Sequence, residues 1–237
     1  MIFEATMKRI KFSLLTALAV LWAVGAGAQV TNNYSFTLDV NQTVPDANAS
    51  GLTSVGNFIG MVGNISSISV SLNLGNAAGD TAFNGDLYAY LAGPNGGYAV
   101  LLNRTGVSDT GTAFGYSDTG FNVTFATGGN DIHFYQNFSY SLNGDGQLTG
   151  TWGVDGRPID PASDPSLFDS TASSATLDSF TGSNPNGNWT LFLADMSAGG
   201  QGFLNNWTVN ITTVPEPPAT ALLVTGALLL AWWRRRA

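Results

Sequence analysis

Ser67-Ile68-Ser69-Val70-Ser71-Leu72-Asn73-Leu74 alternates polar and apolar residues without a break. Period two belongs to an extended chain, whose successive side chains point to opposite faces; a strand so patterned buries one face and wets the other. The pattern recurs along the chain. Tyr34, Phe36, Leu38 and Val40 are spaced by two, as are Phe121, Val123 and Phe125, and then Phe138, Tyr140 and Leu142. Trp189, Leu191 and Leu193 repeat it, followed by Trp207, Val209 and Ile211. Clusters such as Gly93-Pro94-Asn95-Gly96-Gly97 and Asn184-Pro185-Asn186-Gly187-Asn188 supply turns between these runs. No stretch from 30 to 213 keeps helical spacing for three turns. Short strands with turn signals at this density predict one all-β domain over residues 30–213, a jelly-roll-like β-sandwich.

The composition narrows the chemistry. A chain of 237 residues can bury a full-sized core, and the absence of Cys excludes a disulfide framework, a thiolate metal site and a cysteine nucleophile. Between residues 30 and 213 the cations are Arg104 and Arg157 alone, against fourteen Asp and no Glu, a formal charge of −12. Such a body repels phosphate backbones and anionic lipid, which argues against a nucleic-acid partner.

The remaining cations sit at the two ends. Residues 1–28 read as a signal peptide: Lys8, Arg9 and Lys11 precede an apolar run from Phe12 to Val24, and Ala26-Gly27-Ala28 supplies the small-x-small pattern that signal peptidase cuts. The basic cluster follows Met7, a second candidate start. At the other end, Val214-Pro215-Glu216-Pro217-Pro218 interrupts regular structure, a 15-residue apolar run extends from Ala219 to Trp233, and Arg234, Arg235 and Arg236 follow. As a helix that run spans roughly 22 Å, short of the ~30 Å hydrocarbon core, so it predicts a transient membrane tether with the Arg cluster on the cytoplasmic side. Residues 214–237 resemble the PEP-CTERM sorting signal of Gram-negative bacteria. The resemblance implies an exosortase-type enzyme that recognises Pro215, Glu216 and Pro217, and a mature protein at the cell surface or in the extracellular matrix.

Other stretches carry a second resemblance. Val44-Pro45-Asp46, Ile65 to Leu72, and Gly85-Asp86-Leu87 followed by Tyr90-Leu91-Ala92-Gly93-Pro94-Asn95-Gly96 come first. Asn186-Gly187-Asn188-Trp189-Thr190-Leu191-Phe192-Leu193-Ala194-Asp195, then Gly202-Phe203-Leu204-Asn205-Asn206-Trp207-Thr208-Val209-Asn210-Ile211, are the most specific. Together these resemble the P (Homo B) domain that follows the catalytic domain in proprotein convertases and many bacterial subtilisin-like proteases. The resemblance implies a β-sandwich and a calcium ion held by Asp46, Asp86 and Asp195. The chain departs from the family in a Gly/Ala/Asn loop over Leu74 to Phe83, where a His-Thr pair is usual, and in a longer, Asp/Pro-rich segment over 127–170.

The residues do not assemble a catalytic centre of their own. A serine-protease triad needs a His between an Asp and a Ser. The single His, His133, lies in Asp131-Ile132-His133-Phe134, where alternation puts Ile132 and Phe134 on one face and His133 on the other, without a nucleophile motif anywhere. Asp109-Thr110-Gly111 and Asp118-Thr119-Gly120 lie nine residues apart in one Gly-rich stretch, too close to occupy two lobes as an aspartic-protease dyad does. A second oxygen-rich loop carries Asp155, Asp160, Asp164 and Asp169, an alternative calcium site. Ten Asn-x-Ser/Thr triplets appear, and many sit on alternating strands, with Asn and Ser/Thr flanking a buried residue on the wet face. Trp189 and Trp207 read as core, and Tyr88, Tyr90, Tyr98 and Tyr116 as the rings placed for ligand contact. The expected function is therefore a non-catalytic exported surface or matrix protein whose β-sandwich binds or adheres. Alternatives are a protease-associated module acting with a separate subtilisin-like serine endopeptidase, and a module binding extracellular polysaccharide.

Overall fold

The computed structural model describes residues 30–215 and 233–235. The signal-peptide residues, with Ala26 and Ala28, and most of the sorting segment, with Glu216, Pro217 and Arg236, lie outside the described residues. Pro215 ends the last strand, and Arg234 and Arg235 are exposed. Among the described residues no helix is long and apolar enough to cross a membrane.

Asn32–Val214 form one compact unit of nine strands in two sheets. The strands are β1 (Asn32–Thr43), β2 (Asn48–Phe58), β3 (Asn64–Asn76), β4 (Leu87–Ala92), β5 (Tyr98–Asn103), β6 (Phe121–Ala126), β7 (Leu148–Trp152), β8 (Gly187–Asp195) and β9 (Gly202–Val214). One sheet has the order β1-β9-β3-β6-β7 and the other β2-β8-β4-β5. All pairings are antiparallel except β6 with β7. A short α-helix, α1 (Pro165–Ser170), has six residues and is capped by Asp164, whose carboxylate accepts from the Ser166 backbone N–H.

Alternation explains which face turns inward. On β3 the buried side chains are Ile68, Val70, Leu72 and Leu74, and on β9 they are Trp207, Val209 and Ile211. Two breaks in the period have one cause. Ile65 and Ile68 lie three apart yet both point inward because β3 bulges against β9 between Ile65 and Ser67; a bulge between Asn73 and Leu74 likewise lets Leu204 and Trp207 share a face. In β2 the register against β8 shifts between Asn48 and Leu52. Gly51 takes φ +53° in that shift, and a Cβ there would lie 2.4 Å from the Leu193 carbonyl oxygen.

The inner faces meet in one hydrophobic core. Trp207 on β9 is fully buried, packs at 6.1 Å from the Phe58 ring on β2, and donates its indole N–H to Ser54 Oγ across the sandwich at 2.9 Å. Phe36 on β1 stacks on Phe58 with centroids 4.5 Å apart. Trp189 on β8 is equally buried and donates to the Pro185 carbonyl at 2.8 Å. At the outer edge of β5, Val100 N–H bonds the Ala175 carbonyl, while Asp155 and Gly156 N–H groups bond Leu101 and Val100 carbonyls, so the 155–175 segment covers an edge otherwise open to pairing.

One expected strand is absent. Phe138, Tyr140 and Leu142 alternate in sequence but lie in an irregular segment at about 40% exposure, 39%, 39% and 41% respectively. A single isolated bridge, Leu142 to Leu148, joins the segment to a strand. Its backbone bonds are isolated ones, such as Phe138 N–H to the Tyr135 carbonyl and Thr149 N–H to the Ser141 carbonyl, while Tyr140 packs edge-on to Tyr135 and Phe138 lies tilted against Trp152.

Trp207→Ala is expected to cost about 3–5 kcal/mol, through the lost indole volume and the orphaned Ser54 hydroxyl. A urea-unfolding midpoint lowered with unchanged slope measures it.

Candidate functional site

Of the aspartates that the sequence nominates for calcium, Asp46 and Asp86 lie near enough for their charges to act on Asp195. Asp46 follows β1, Asp86 precedes β4 and Asp195 ends β8, where the register sets Leu87 opposite Asp195. Asp195 is 1% exposed. Burial, reinforced by the negative charges of Asp86, Asp46 and Asp80, pushes its carboxyl up to about 7, although it accepts from the Ser197 backbone N–H. Burial also raises Asp86, against a Ser197 hydrogen bond and the Arg104 charge. The donors are hard oxygens, the chemistry calcium takes. They stop short of a formed site: among the described residues no three acidic or histidine side chains are arranged to hold a metal ion.

The second acidic loop does not converge. Asp155 is fully buried and points into the protein, Asp160 accepts from the Ala162 N–H, Asp164 caps α1, and Asp169 accepts from the Asp109 N–H. Asp160 and Asp164 serve local turns, while Asp155 and Asp169 bond to distant segments, so the four do not share one site.

His133 departs from its expected placement. It lies in a 3-10 turn, Ile132–Asn137, begun by Asp131 accepting from the His133 N–H, so Ile132 and His133 both point inward and are fully buried. Nδ1 lies 2.6 Å from Asp155 Oδ2 and Nε2 3.0 Å from the Val107 carbonyl oxygen. Asp155 Oδ1 also takes Arg157 Nη1 at 3.2 Å, and Arg157 Nη2 reaches Asp131 at 2.8 Å. The ring is closed in by Phe134 and Phe168. This network ties three loops together below the surface.

Three of the four nominated tyrosines meet on the outer face of the four-stranded sheet. Ala89 and Leu91 of β4 point inward, which turns Tyr88 and Tyr90 outward, and the register sets Tyr90 opposite Phe192 of β8. Their rings stack at 4.9 Å and 17°. Tyr98 of β5 lies 5.2 Å from Tyr90, and its hydroxyl is 3.0 Å from that of Tyr88. Burial, then the Tyr98 phenol, holds Tyr88 well above the usual phenol range. Beside the cluster runs a groove of about 510 Å³ lined by Tyr88, Tyr98, Phe192, Ile159, Asp160 and Pro161. Its far wall is anchored to the end of β5: Asn103 Nδ2 donates to the Arg157 and Ile159 carbonyls, and Arg104 Nη1 donates to the Pro161 carbonyl. Aromatic faces, two hydroxyls and one carboxylate around a half-open cleft suit a ligand with apolar faces and polar edges. Tyr116 is elsewhere, edge-on to Tyr135.

No protein-family model matches the chain, and no curated protein matches it. Among solved structures it is similar to a chain in the crystal structure of the Aeromonas sobria serine protease (ASP) and chaperone (ORF2) complex. The identity is 13% and the TM-score 0.44, over 84% of this chain and 30% of that one. A likeness this remote, spanning under a third of the other chain, sets neither family nor activity.

Phe192, Ile159 and Pro161 are groove residues that sequence reading did not nominate, and Asp160 was nominated only for a calcium loop. Phe192 lies on the outward phase of an alternating strand, a position that marks it as surface-facing. The wall carries no such signal.

Folded Asp195 titrates near 7 against an ordinary 3.8. The folded state therefore holds an extra proton between those values, and stability falls as pH rises from about 4 to about 7, then levels. Urea melts across pH 5 to 8 are expected to show this decline, and Asp195→Asn, which cannot ionise, to flatten it.

Proposed function

We propose that this chain is an exported, non-catalytic surface or matrix protein whose β-sandwich, of P-domain type, binds a partner through the aromatic groove of the four-stranded sheet. The carrying observation is the outward cluster of Tyr88, Tyr90, Tyr98 and Phe192 beside that groove. Cross-strand ring pairs stabilise a sheet face by about 0.2–1 kcal/mol each, and beside a groove the same rings also offer a partner rigid contact area at low conformational-entropy cost. The burial of His133 against Asp155 supports a non-catalytic reading. Export by the N-terminal segment and exosortase sorting at Pro215-Glu216-Pro217 supply the route to the envelope, and the partner is an extracellular polysaccharide or a surface protein.

Retention of the purified protein on the producing cell's extracellular material tests this reading. Tyr90→Ala, which removes the central ring, is expected to weaken retention about tenfold with a small change in melting temperature, since an aromatic contact is worth about 1 kcal/mol or more. Equal retention of variant and wild type removes the aromatic cluster as the binding site. Co-purification with a separate subtilisin-like protease instead moves the function to the protease-associated reading.

Calcium belongs to the same proposal on donor chemistry: an ion shared by Asp46, Asp86 and Asp195 would offset the repulsion that raises Asp195. At pH 8, adding millimolar calcium is expected to raise the melting temperature by several degrees and a chelator to reverse it, with Asp195→Asn insensitive to both. An unchanged wild-type melt excludes the ion.

A further inference from the structure

The opposite face of the sandwich has a different chemistry. Across the five-stranded sheet the register aligns Thr37, Thr208, Ser71, Thr124 and Thr151 in one row. The next row is Asp39, Asn206, Asn73, Asn122 and Thr149, and on the other side Ser35, Asn210, Ser69 and Ala126 line up. All of these point away from the core, and Asp39 is the one charged residue in the three rows. The grid repeats about every 4.8 Å across strands and about every 6.8 Å along them. The Asn-x-Ser/Thr triplets at Asn33, Asn122, Asn206 and Asn210 are this grid seen in one dimension.

The side chains are held in place by bonds between strands. Ser35 Oγ donates to Asn210 Oδ1 at 2.7 Å and Thr212 Oγ1 to Asn33 Oδ1 at 2.8 Å. Thr37 and Thr208 hydroxyls meet at 2.8 Å, and Ser71 and Thr124 hydroxyls at 2.9 Å. A shallow groove of about 480 Å³ crosses three strands here, its polar lining formed by Asn33, Ser35, Ser67, Ser69, Asn210 and Thr212, with Ile68 and Ile211 also lining it.

From this we infer that the Ser/Thr/Asn face of the five-stranded sheet is a binding surface for a neutral, hydroxyl-rich polysaccharide chain seated in the groove over β1, β9 and β3. Charge selects the class of ligand. The 30–213 body carries −12, and both of its arginines bond inward, Arg157 to Asp131 and Asp155 and Arg104 to Gly85, Pro161 and Ser197, so a polyanion finds no counter-charge. A protein partner wants buried aromatic, Met or Arg anchors, and the rows offer none. A second copy would set −12 against −12. Sugar hydroxyls donate and accept, as Ser, Thr and Asn do. The inference concerns a face other than the aromatic groove and stands or falls without it.

The test is affinity electrophoresis of the purified full-length protein through gels holding a neutral β-glucan, a neutral α-glucan, a mannan, or alginate as the polyanion. Wild type is expected to be retarded by at least one neutral polymer and not by alginate. The Ser35→Glu/Ser67→Glu pair places charge on the groove rim, and Ser67→Leu fills the groove without charge; each is expected to lower affinity at least tenfold. A thermal melt unchanged within a few degrees identifies which of the two variants to read. Tyr90→Ala should leave this retardation as it is, which separates the inference from the aromatic groove. Migration unaffected by all three neutral polymers, equal retardation of folded variants and wild type, or preference for alginate each overturns it. So does a wild-type dimer in sedimentation that the Ser67 variants convert to monomer without altering retardation, because the face is then a self-contact.

Discussion

The indole of Trp207, set between the two sheets, is the contact on which the rest of the structure depends. It lies on β9, which pairs with β1 on one side and β3 on the other and so occupies the middle of the larger sheet's longest ladder. From there it packs on Phe58 and donates to Ser54 of β2, in the other sheet. A buried indole must find an acceptor as well as apolar neighbours, and that double demand fixes both the distance between the sheets and the register of β2 against β9. The bulge near Asn205 turns Trp207 and Leu204 to the same side. Without it the register would carry one of them to the solvent face.

Once the inner faces are joined, the outer faces are free to differ. The smaller sheet presents four rings beside a cleft, and the larger presents rows of hydroxyls and amides. Neither outer face is built from the long charged side chains that commonly solvate a sheet. The two arginines of the body act from within: Arg157 closes the buried network of His133, Asp155 and Asp131, and Arg104 fastens the loop at Pro161 that walls the aromatic groove. The surface charge is therefore carried by aspartates, which concentrate at turns and at the strand ends around Asp195.

Much of this was legible in the sequence. The alternating runs at Tyr34–Val40, Ile68–Leu74, Phe121–Phe125, Trp189–Leu193 and Trp207–Ile211 are strands, and Trp189 and Trp207 are core. Strands β2, β4, β5 and β7 escaped periodicity for separate reasons: in β4 the outward phase carries Tyr88, Tyr90 and Ala92, so no polar alternation marks it. Gly51 and a bulge interrupt β2, β5 is buried on both faces and so reads as a continuous apolar run, and β7 contains Gly150 at φ +101°. Phe138 to Leu142 erred the other way, because alternation states what a strand would bury and not whether a partner strand is present. His133 was misplaced for a related reason: the Asp131 cap turns the chain helically there, and alternation does not apply to a 3-10 turn.

By itself, the sequence determined the all-β class, the identity of the core faces, the anionic body and the uncharged outer alternation, since each is a property of residue type and spacing along one strand. Only the tertiary structure decided that Asp46, Asp86 and Asp195 share one end, that Tyr88, Tyr98 and Phe192 share a groove with Ile159–Pro161, and that hydroxyls on five strands line up in rows. Those groupings depend on strand order and register, which bring together residues up to about 180 positions apart, as in the Ser35 to Asn210 bond. A period of two records which way a side chain points and carries nothing about which strand will lie beside it.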